Sequence, residues 1–268
     1  MKNILDEIVA WKVTEVETRK QRTSVHELES RPLFSRTPLS MKAFIRRKDK
    51  SGIIAEIKRK SPSKGIINDQ ISVTATATGY ESAGASAISV LTDAHFFGGS
   101  DNDLMTARAS VNVPLLRKDF MVDEYQILEA KSIGADAILL IAATLTPPVI
   151  HKFTSFAHQL GLEVLLEVHD ENELKANLGS GADMMGVNNR NLKTFELSID
   201  TSRRLVPLIP HSFVKISESG IESPAVIKEL RGLGFDGFLM GQNFMQQPDP
   251  GAAAAHFMRE LNDLDPRK

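Results

Sequence analysis

The chain has 268 residues, of which 42% are apolar and 25% charged, a composition typical of a globular protein with a large core. Its net charge is -2 and its basic residues are spread along the sequence, so no basic field favours nucleic acid or a membrane as a partner. The absence of cysteine excludes disulfides, thiolate metal sites and a cysteine nucleophile. Because the first 20 residues contain no apolar signal segment, a cytoplasmic location is expected.

Residues 1–47 are predicted to form two or three helices, which Pro32 and Pro38 separate. The first helix carries one apolar stripe, made of Ile4, Leu5, Ile8, Val9 and Trp11, and such a stripe has to be buried. We therefore expect this segment to pack against the rest of the chain as an extension and not to form a separate domain.

Eight short apolar runs follow, with the length and the β-branched composition of buried strands. They cover residues 51–58, 87–91, 114–119, 136–142, 162–168, 183–188, 213–217 and 236–240. Between them, stretches such as 125–133, 147–160 and 223–233 have apolar residues three and four positions apart, which predicts helices. Gly84, Gly134 and Gly181 each end a predicted helix just before a strand.

This alternation of strands and helices predicts the fold class. Strand–helix units with short connections require parallel pairing, and in a chain of about 250 residues the closed barrel is the natural arrangement. An open, doubly wound sheet is the alternative. We predict an α/β fold, a (β/α)8 TIM barrel with an N-terminal helical extension, in one domain that covers residues 1–268.

Polar residues stand where several predicted strands end, which is where barrel active sites lie. They are Glu56 and Lys58 on strand 1, Lys118 and the following Phe120 on strand 3, Glu167 on strand 5, Asn188 and Arg190 on strand 6, and Glu218 and Ser219 on strand 7. Converging lysines, an arginine and carboxylates suit an anionic substrate and proton transfers. His169 is in phase with Glu167 and is placed to support it. For Glu56 and Lys58, an edge strand with a solvated face is the alternative.

The last two loops of the predicted barrel indicate a phosphate site. Ser219-Gly220 follows strand 7 and Gly241-Gln242 follows strand 8, and these loops bind phosphate through backbone N–H groups in many barrels. Ordinary turn glycines are the alternative. The aromatic loop 96–100 after strand 2 either lines the same end of the barrel or is a plain loop. The histidines have no metal-ligand spacing, so no metal is expected.

The chain resembles the indole-3-glycerol-phosphate synthase family over essentially its whole length. The matching motifs, in the family's order, are residues 56–63, 116–126, 166–171, 186–192 and 217–221. The resemblance implies ring closure, decarboxylation and dehydration of 1-(2-carboxyphenylamino)-1-deoxyribulose 5-phosphate to indole-3-glycerol phosphate, in tryptophan biosynthesis and with no cofactor.

The resemblance also implies roles for individual residues. Lys118 is the implied acid for ring closure, and Lys58, Glu56 and Glu167 are the implied acids and bases for the dehydration. The implied substrate-binding residues are Phe120, Asn188, Arg190 and Glu218, with Ser61, Ser219, Gly220, Gly241 and Gln242 at the phosphate. The expected partner is therefore a small phosphorylated substrate, bound by a monomer or a weak homo-oligomer, with no nucleic acid and no membrane.

Two other functions remain to be weighed. A phosphoribosylanthranilate isomerase would, by family resemblance, use a cysteine and an aspartate as its acid–base pair, and this chain has no cysteine. A non-catalytic barrel that binds phosphorylated ligands predicts apolar residues at one or more strand ends, whereas Glu56, Lys58, Lys118 and Glu167 are all present.

Overall fold

The computed structural model describes residues 4–192 and 194–266. Its barrel strands are β1 (Ile53–Ile57), β2 (Ala87–Leu91), β3 (Leu115–Lys118), β4 (Ala137–Ile141), β5 (Glu163–Val168), β6 (Met184–Asn188), β7 (Val214–Glu218) and β8 (Gly237–Met240). All neighbours pair in parallel in chain order, and β8 closes on β1. The predicted (β/α)8 barrel is confirmed, and the open sheet is wrong. Each strand ends within two residues of its predicted bounds, because buried strands of a parallel sheet are apolar on both faces.

Helices surround the barrel and precede it. Those of the N-terminal segment are α1 (Ile4–Arg22), α2 (Val25–Glu29) and α3 (Met41–Arg46). Those that follow barrel strands are α4 (Val73–Ser82), α5 (Asp101–Ser110), α6 (Tyr125–Ser132), α7 (Pro147–Gln159), α8 (Glu171–Ala176), α9 (Asp200–Leu205), α10 (Pro224–Gly232), α11 (Gln242–Met245) and α12 (Pro250–Leu264). Within residues 4–192 and 194–266, no helix has both the length and the apolarity to span a bilayer.

The N-terminal segment reaches both ends of the barrel. Met41 and Ile45 of α3 are fully buried and pack with Ile54, Leu116 and other inward-facing strand residues. Since Ile45 lies close to the start of β8, α3 closes the end of the barrel where the strands begin. Helix α1 lies at the opposite end, where Ile4, Leu5 and Ile8 line a cavity.

The prediction that Trp11 belongs to the buried stripe of α1 is wrong. Leu5 and Ile8 are buried as expected, but Trp11 is 46% exposed and stacks on His95, with ring centroids 4.1 Å apart. The next residue, Lys12, is instead only 1% exposed. The reason is that α1 rests there on carboxylates, not on an apolar surface, so a cation is the residue that the interface accepts.

Candidate active site

All the predicted site residues line one cavity of about 450 Å³ at the carboxyl ends of the strands. They are Glu56, Lys58, Ser61, Lys118, Phe120, Glu167, Asn188, Arg190, Glu218, Ser219, Gly220, Gly241 and Gln242. Strand alternation explains the convergence, because residues two apart on a strand face the same side and the strands of a parallel barrel all end at the same rim.

The cavity holds a lysine and a carboxylate from two strands that are separated by one strand, β4. Nζ of Lys118, the last residue of β3, lies 3.6 Å from Oε2 of Glu167 on β5. The other oxygen of Glu167 accepts a hydrogen bond of 3.1 Å from Nδ2 of Asn188 on β6. Glu167 is only 2% exposed, so the field of Lys118 acts on it with little screening by water.

A second charged pair lies on β1. Nζ of Lys58 is 2.5 Å from Oε1 of Glu56, which is 3% exposed. Burial alone would raise the pKa of Glu56, but the positive charges of Lys58 and Lys118 lower it overall. The alternative of a solvated edge strand is wrong, because β1 pairs with β2 on one side and β8 on the other.

His169 forms an ion pair with Glu167. Its Nε2 lies 3.2 Å from Oε1 of Glu167, and its Nδ1 lies 3.1 Å from Oε2 of Glu173 in the first turn of α8. Burial would lower the pKa of His169, yet the two carboxylates raise it to about 10. Sequence reasoning identified His169 but missed Glu173; the four-residue spacing of the two was the available signal. At neutral pH the imidazole is therefore charged.

The carboxyl groups of the cavity are held in different protonation states. Burial would raise the pKa of Glu167, but Lys118 and His169 lower it to about 2. Glu218, which is 1% exposed, has its pKa raised to about 8 by burial and then by the negative charge of Glu167. At neutral pH Glu167 therefore accepts hydrogen bonds only, whereas Glu218 carries a proton that it can donate.

Two glycine-containing turns also line the cavity. Ser219 and Gly220, which follow β7, both have a positive φ, at 67° and 72°. In the described part of the chain, Ser219 is one of few non-glycine residues with a positive φ. Gly241 follows β8 and is the N-cap of the four-residue helix α11. Ser61 belongs to a two-stranded hairpin after β1, Lys60–Ser61 with Gly65–Ile66, at the mouth of the cavity.

Two phenylalanines form an aromatic wall of the cavity. Phe120, after β3, and Phe97, after β2, both line the cavity, and their ring centroids are 5.9 Å apart. The loop 96–100 is therefore part of the cavity wall and not a plain loop. In the described ranges, 4–192 and 194–266, no cluster of three or more His, Asp or Glu residues is arranged to hold a metal ion.

Comparisons with known proteins identify the family. Residues 5–257 match the family model of indole-3-glycerol phosphate synthase. The indole-3-glycerol phosphate synthase of Bacteroides thetaiotaomicron is 48% identical over 97% of this chain and 100% of its own. The enzyme of the same name from Burkholderia vietnamiensis is 43% identical over 95% of this chain and 98% of its own.

Solved structures show the fold alone. KGPDC from Streptococcus mutans aligns with a TM-score of 0.61 at 14% identity, covering 80% of this chain and 98% of its own. Thiamine phosphate pyrophosphorylase from Pyrococcus furiosus aligns with a TM-score of 0.60 at 16% identity, covering 82% of this chain and 99% of its own. With the family match over nearly the full length and the cavity described above, the chain belongs to the indole-3-glycerol phosphate synthase family.

Proposed function

We propose that the protein converts 1-(2-carboxyphenylamino)-1-deoxyribulose 5-phosphate to indole-3-glycerol phosphate, carbon dioxide and water, as a step of tryptophan biosynthesis. The observation that carries the proposal is the pair of Lys118 and Glu167, 3.6 Å apart in a cavity that is also lined by two glycine-containing turns and by phenylalanines. A proton donor, a base, a phosphate site and an aromatic surface are what this reaction requires.

Lys118 is the proposed acid for ring closure. Attack of the anilino ring carbon on the ribulose carbonyl builds negative charge on the carbonyl oxygen, and an ammonium group beside it stabilises that charge and supplies a proton. Burial would lower the pKa of Lys118, but Glu167 and Glu56 raise it above its ordinary value. The side chain is therefore cationic when the substrate binds, and its positive charge is held in place before the reaction begins.

The remaining charged groups complete the chemistry. Loss of carbon dioxide needs no cofactor, because the iminium formed on ring closure accepts the electron pair. The dehydration then needs an acid for the departing hydroxyl and a base for the ring proton. We assign these two roles to the group of Lys58, Glu56 and Glu167, a cation and two carboxylates that line the same cavity.

The substrate-binding roles follow from charge and position. We assign the substrate carboxylate and hydroxyls to Arg190, Asn188 and the protonated Glu218, and the aromatic ring to Phe120 together with α1. The proposed phosphate site consists of Ser61, Ser219, Gly220, Gly241 and Gln242. A short extra helix after the last strand is a recurrent phosphate site of barrels, and α11 is such a helix.

The proposal extends to the organisation of the chain. We infer that residues 1–47 and the barrel form one domain, because α1 and α3 contribute buried residues to opposite ends of the barrel. We further propose a monomer or weak homo-oligomer that works in the cytoplasm. The isomerase and the non-catalytic barrel are less well supported, since the chain has no cysteine and since buried charged pairs stabilise a fold poorly.

An activity assay tests the proposal. The purified protein is incubated with the carboxyphenylamino-deoxyribulose phosphate, and the fluorescence of the indole product is followed with time. We expect product without any added metal or cofactor. A folded protein that forms no indole from this substrate would overturn the proposal, and turnover of phosphoribosylanthranilate instead would favour the isomerase.

A further inference from the structure

Lys12 of α1 is buried among carboxylates that belong to the barrel. Its Nζ lies 2.8 Å from Oδ2 of Asp93 and 2.9 Å from Oδ1 of Asp119, and Glu15 of the same helix lies 2.7 Å away. Asp93 follows β2 and Asp119 follows β3, so one ammonium group joins the loops after two neighbouring strands. All three partners are acidic, and the Lys12 side chain is only 1% exposed.

Each of the two aspartates fixes the backbone of an aromatic residue. Oδ1 of Asp93 accepts hydrogen bonds from the backbone N–H of Phe96, at 2.7 Å, and of Phe97, at 3.2 Å. Oδ1 of Asp119 accepts a hydrogen bond of 2.8 Å from the backbone N–H of Phe120. The two carboxylates that Lys12 bridges therefore hold the backbone of Phe97 and of Phe120 in position.

Stability alone is a poor explanation for this arrangement. Desolvation offsets most of the Coulomb gain of a buried ion pair. Asp119 also has other partners, because its second oxygen accepts a 2.7 Å hydrogen bond from Thr92 and lies 3.4 Å from Arg117. Asp119 therefore has polar partners besides Lys12, whereas Lys12 is the group that connects Asp119 to Asp93.

We propose that Lys12 is a positioning residue, which sets the separation of Phe97 and Phe120 and thereby the width of the aromatic wall that receives the carboxyphenyl ring. Lys12 does not line the cavity, so it acts through the two aspartates and not on the substrate itself. The inference rests on the proposed function, because it assigns the aromatic wall to the ring of that substrate.

The test compares two lysines of the same helix. Lys12→Met removes the bridge, while Lys20→Met removes another ion pair between α1 and the barrel, from Lys20 to Asp123 at 2.6 Å, without contact to either aspartate. For Lys12→Met we expect KM to rise about 5- to 10-fold, which corresponds to the binding free energy of one aromatic contact. We expect kcat to be nearly unchanged. For Lys20→Met we expect an unchanged KM. Equal effects of the two substitutions on KM would overturn the proposal.

A second variant removes the same link from the barrel side. In Asp93→Asn, the retained Oδ1 still accepts the hydrogen bonds from the backbone N–H groups of Phe96 and Phe97. The amide NH2 group replaces Oδ2, however, so that an N–H group faces the ammonium group of Lys12. We expect this variant to fold and its KM to rise, as in Lys12→Met. An unchanged KM would contradict the proposed bridging role of Lys12. This result would hold even if Lys12→Met failed to fold. The sole tryptophan, Trp11, stacks on His95 and reports by its fluorescence whether α1 stays docked.

The two proposals fail in different ways. If the wild-type protein forms no indole product, the proposed function is wrong. If the wild-type protein is active and Lys12→Met behaves as Lys20→Met does, only the positioning role is wrong.

Discussion

A methyl group on Gly186 of β6 would lie 2.1 Å from Oε1 of Glu218 on the neighbouring strand β7, so the glycine leaves the space that this carboxyl group occupies. Glycine inside a strand usually weakens it and marks a close approach of another group. Here the approaching group is the buried carboxyl that carries a proton at neutral pH. The absence of one side chain is thus part of how the cavity is built.

The substitution Gly186→Ala tests this relationship. The new methyl group forces the Glu218 carboxyl out of its position, and we expect kcat/KM to fall by at least about 10-fold, with a stability loss of about 1–3 kcal/mol. Gly179→Ala is the matched control, because nothing lies within 4 Å of the methyl group that it adds. Wild-type kinetics in Gly186→Ala would show that the placement of Glu218 does not matter for the reaction.

His169 makes stability depend on pH. Its pKa is about 10 in the folded protein and about 6.5 in an unfolded chain, so between these values the folded state holds the extra proton. The stabilisation is complete below pH 6.5 and is lost as the pH rises towards 10, by about 1.4 kcal/mol per pH unit for a one-proton difference. We expect His169→Asn to flatten the fall of the free energy of unfolding over this range.

Denaturant unfolding at several pH values measures the effect. His211→Asn serves as the control, since His211 is exposed and precedes the start of β7, whereas the cavity lies where the strands end. The control should keep the wild-type pH dependence. If His169→Asn lost stability equally at every pH, the imidazole would contribute packing and not charge.

Lys118→Met tests the proposed acid. Methionine retains much of the length and packing of the side chain but removes the charge and the proton, so the protein should fold and kcat should fall about 10²–10⁴-fold. The pKa of Glu167 should rise at the same time, because Lys118 is the largest influence that lowers it. Lys152→Met, at an exposed position of α7, is expected to be as active as the wild type. A change in KM alone would make Lys118 a binding residue and Lys58 the leading acid.

The sequence predicts the barrel and its rim well, and the contacts with α1 poorly. The strand ends are identifiable because a charge at the end of an apolar run is rare without a function, and Glu56 and Glu167 both follow this rule. Lys12 follows no such rule, since a lysine on an amphipathic helix is normally solvated. Its partners Asp93 and Asp119 are far away in the sequence, and only the folded chain brings them together.

Gly241 has a steric role beside its proposed role at the phosphate. Its φ of -138° is accessible to any residue, but an added Cβ would lie 2.8 Å from Cβ of Glu56. We therefore expect Gly241→Ala to raise the inhibition constant of inorganic phosphate and to lower kcat as well, through displacement of Glu56. Gly232→Ala, with nothing within 4 Å of the added methyl group, is the control. An unchanged inhibition constant in Gly241→Ala would remove Gly241 from the phosphate site.

Removal of α1 separates the two functions of the N-terminal segment. Deletion of residues 1–23 removes Ile4, Leu5 and Ile8 from the cavity wall but retains α3, which covers the other end of the barrel with Met41 and Ile45. We expect this shortened protein to remain folded, as judged by a cooperative thermal transition, and to bind substrate at least about 10-fold more weakly.

Deletion of residues 1–47 should have a different result, because it also exposes the inner apolar cluster at the bottom of the barrel. We expect that longer deletion to abolish cooperative folding, since buried apolar side chains each contribute roughly 1.5–3 kcal/mol and the total stability of a domain is only about 5–15 kcal/mol. Circular dichroism melts and KM values of the two shortened proteins check both expectations. Full activity after deletion of residues 1–23 would mean that α1 has no part in substrate binding, and a folded barrel after deletion of residues 1–47 would mean that α3 is dispensable as its cover.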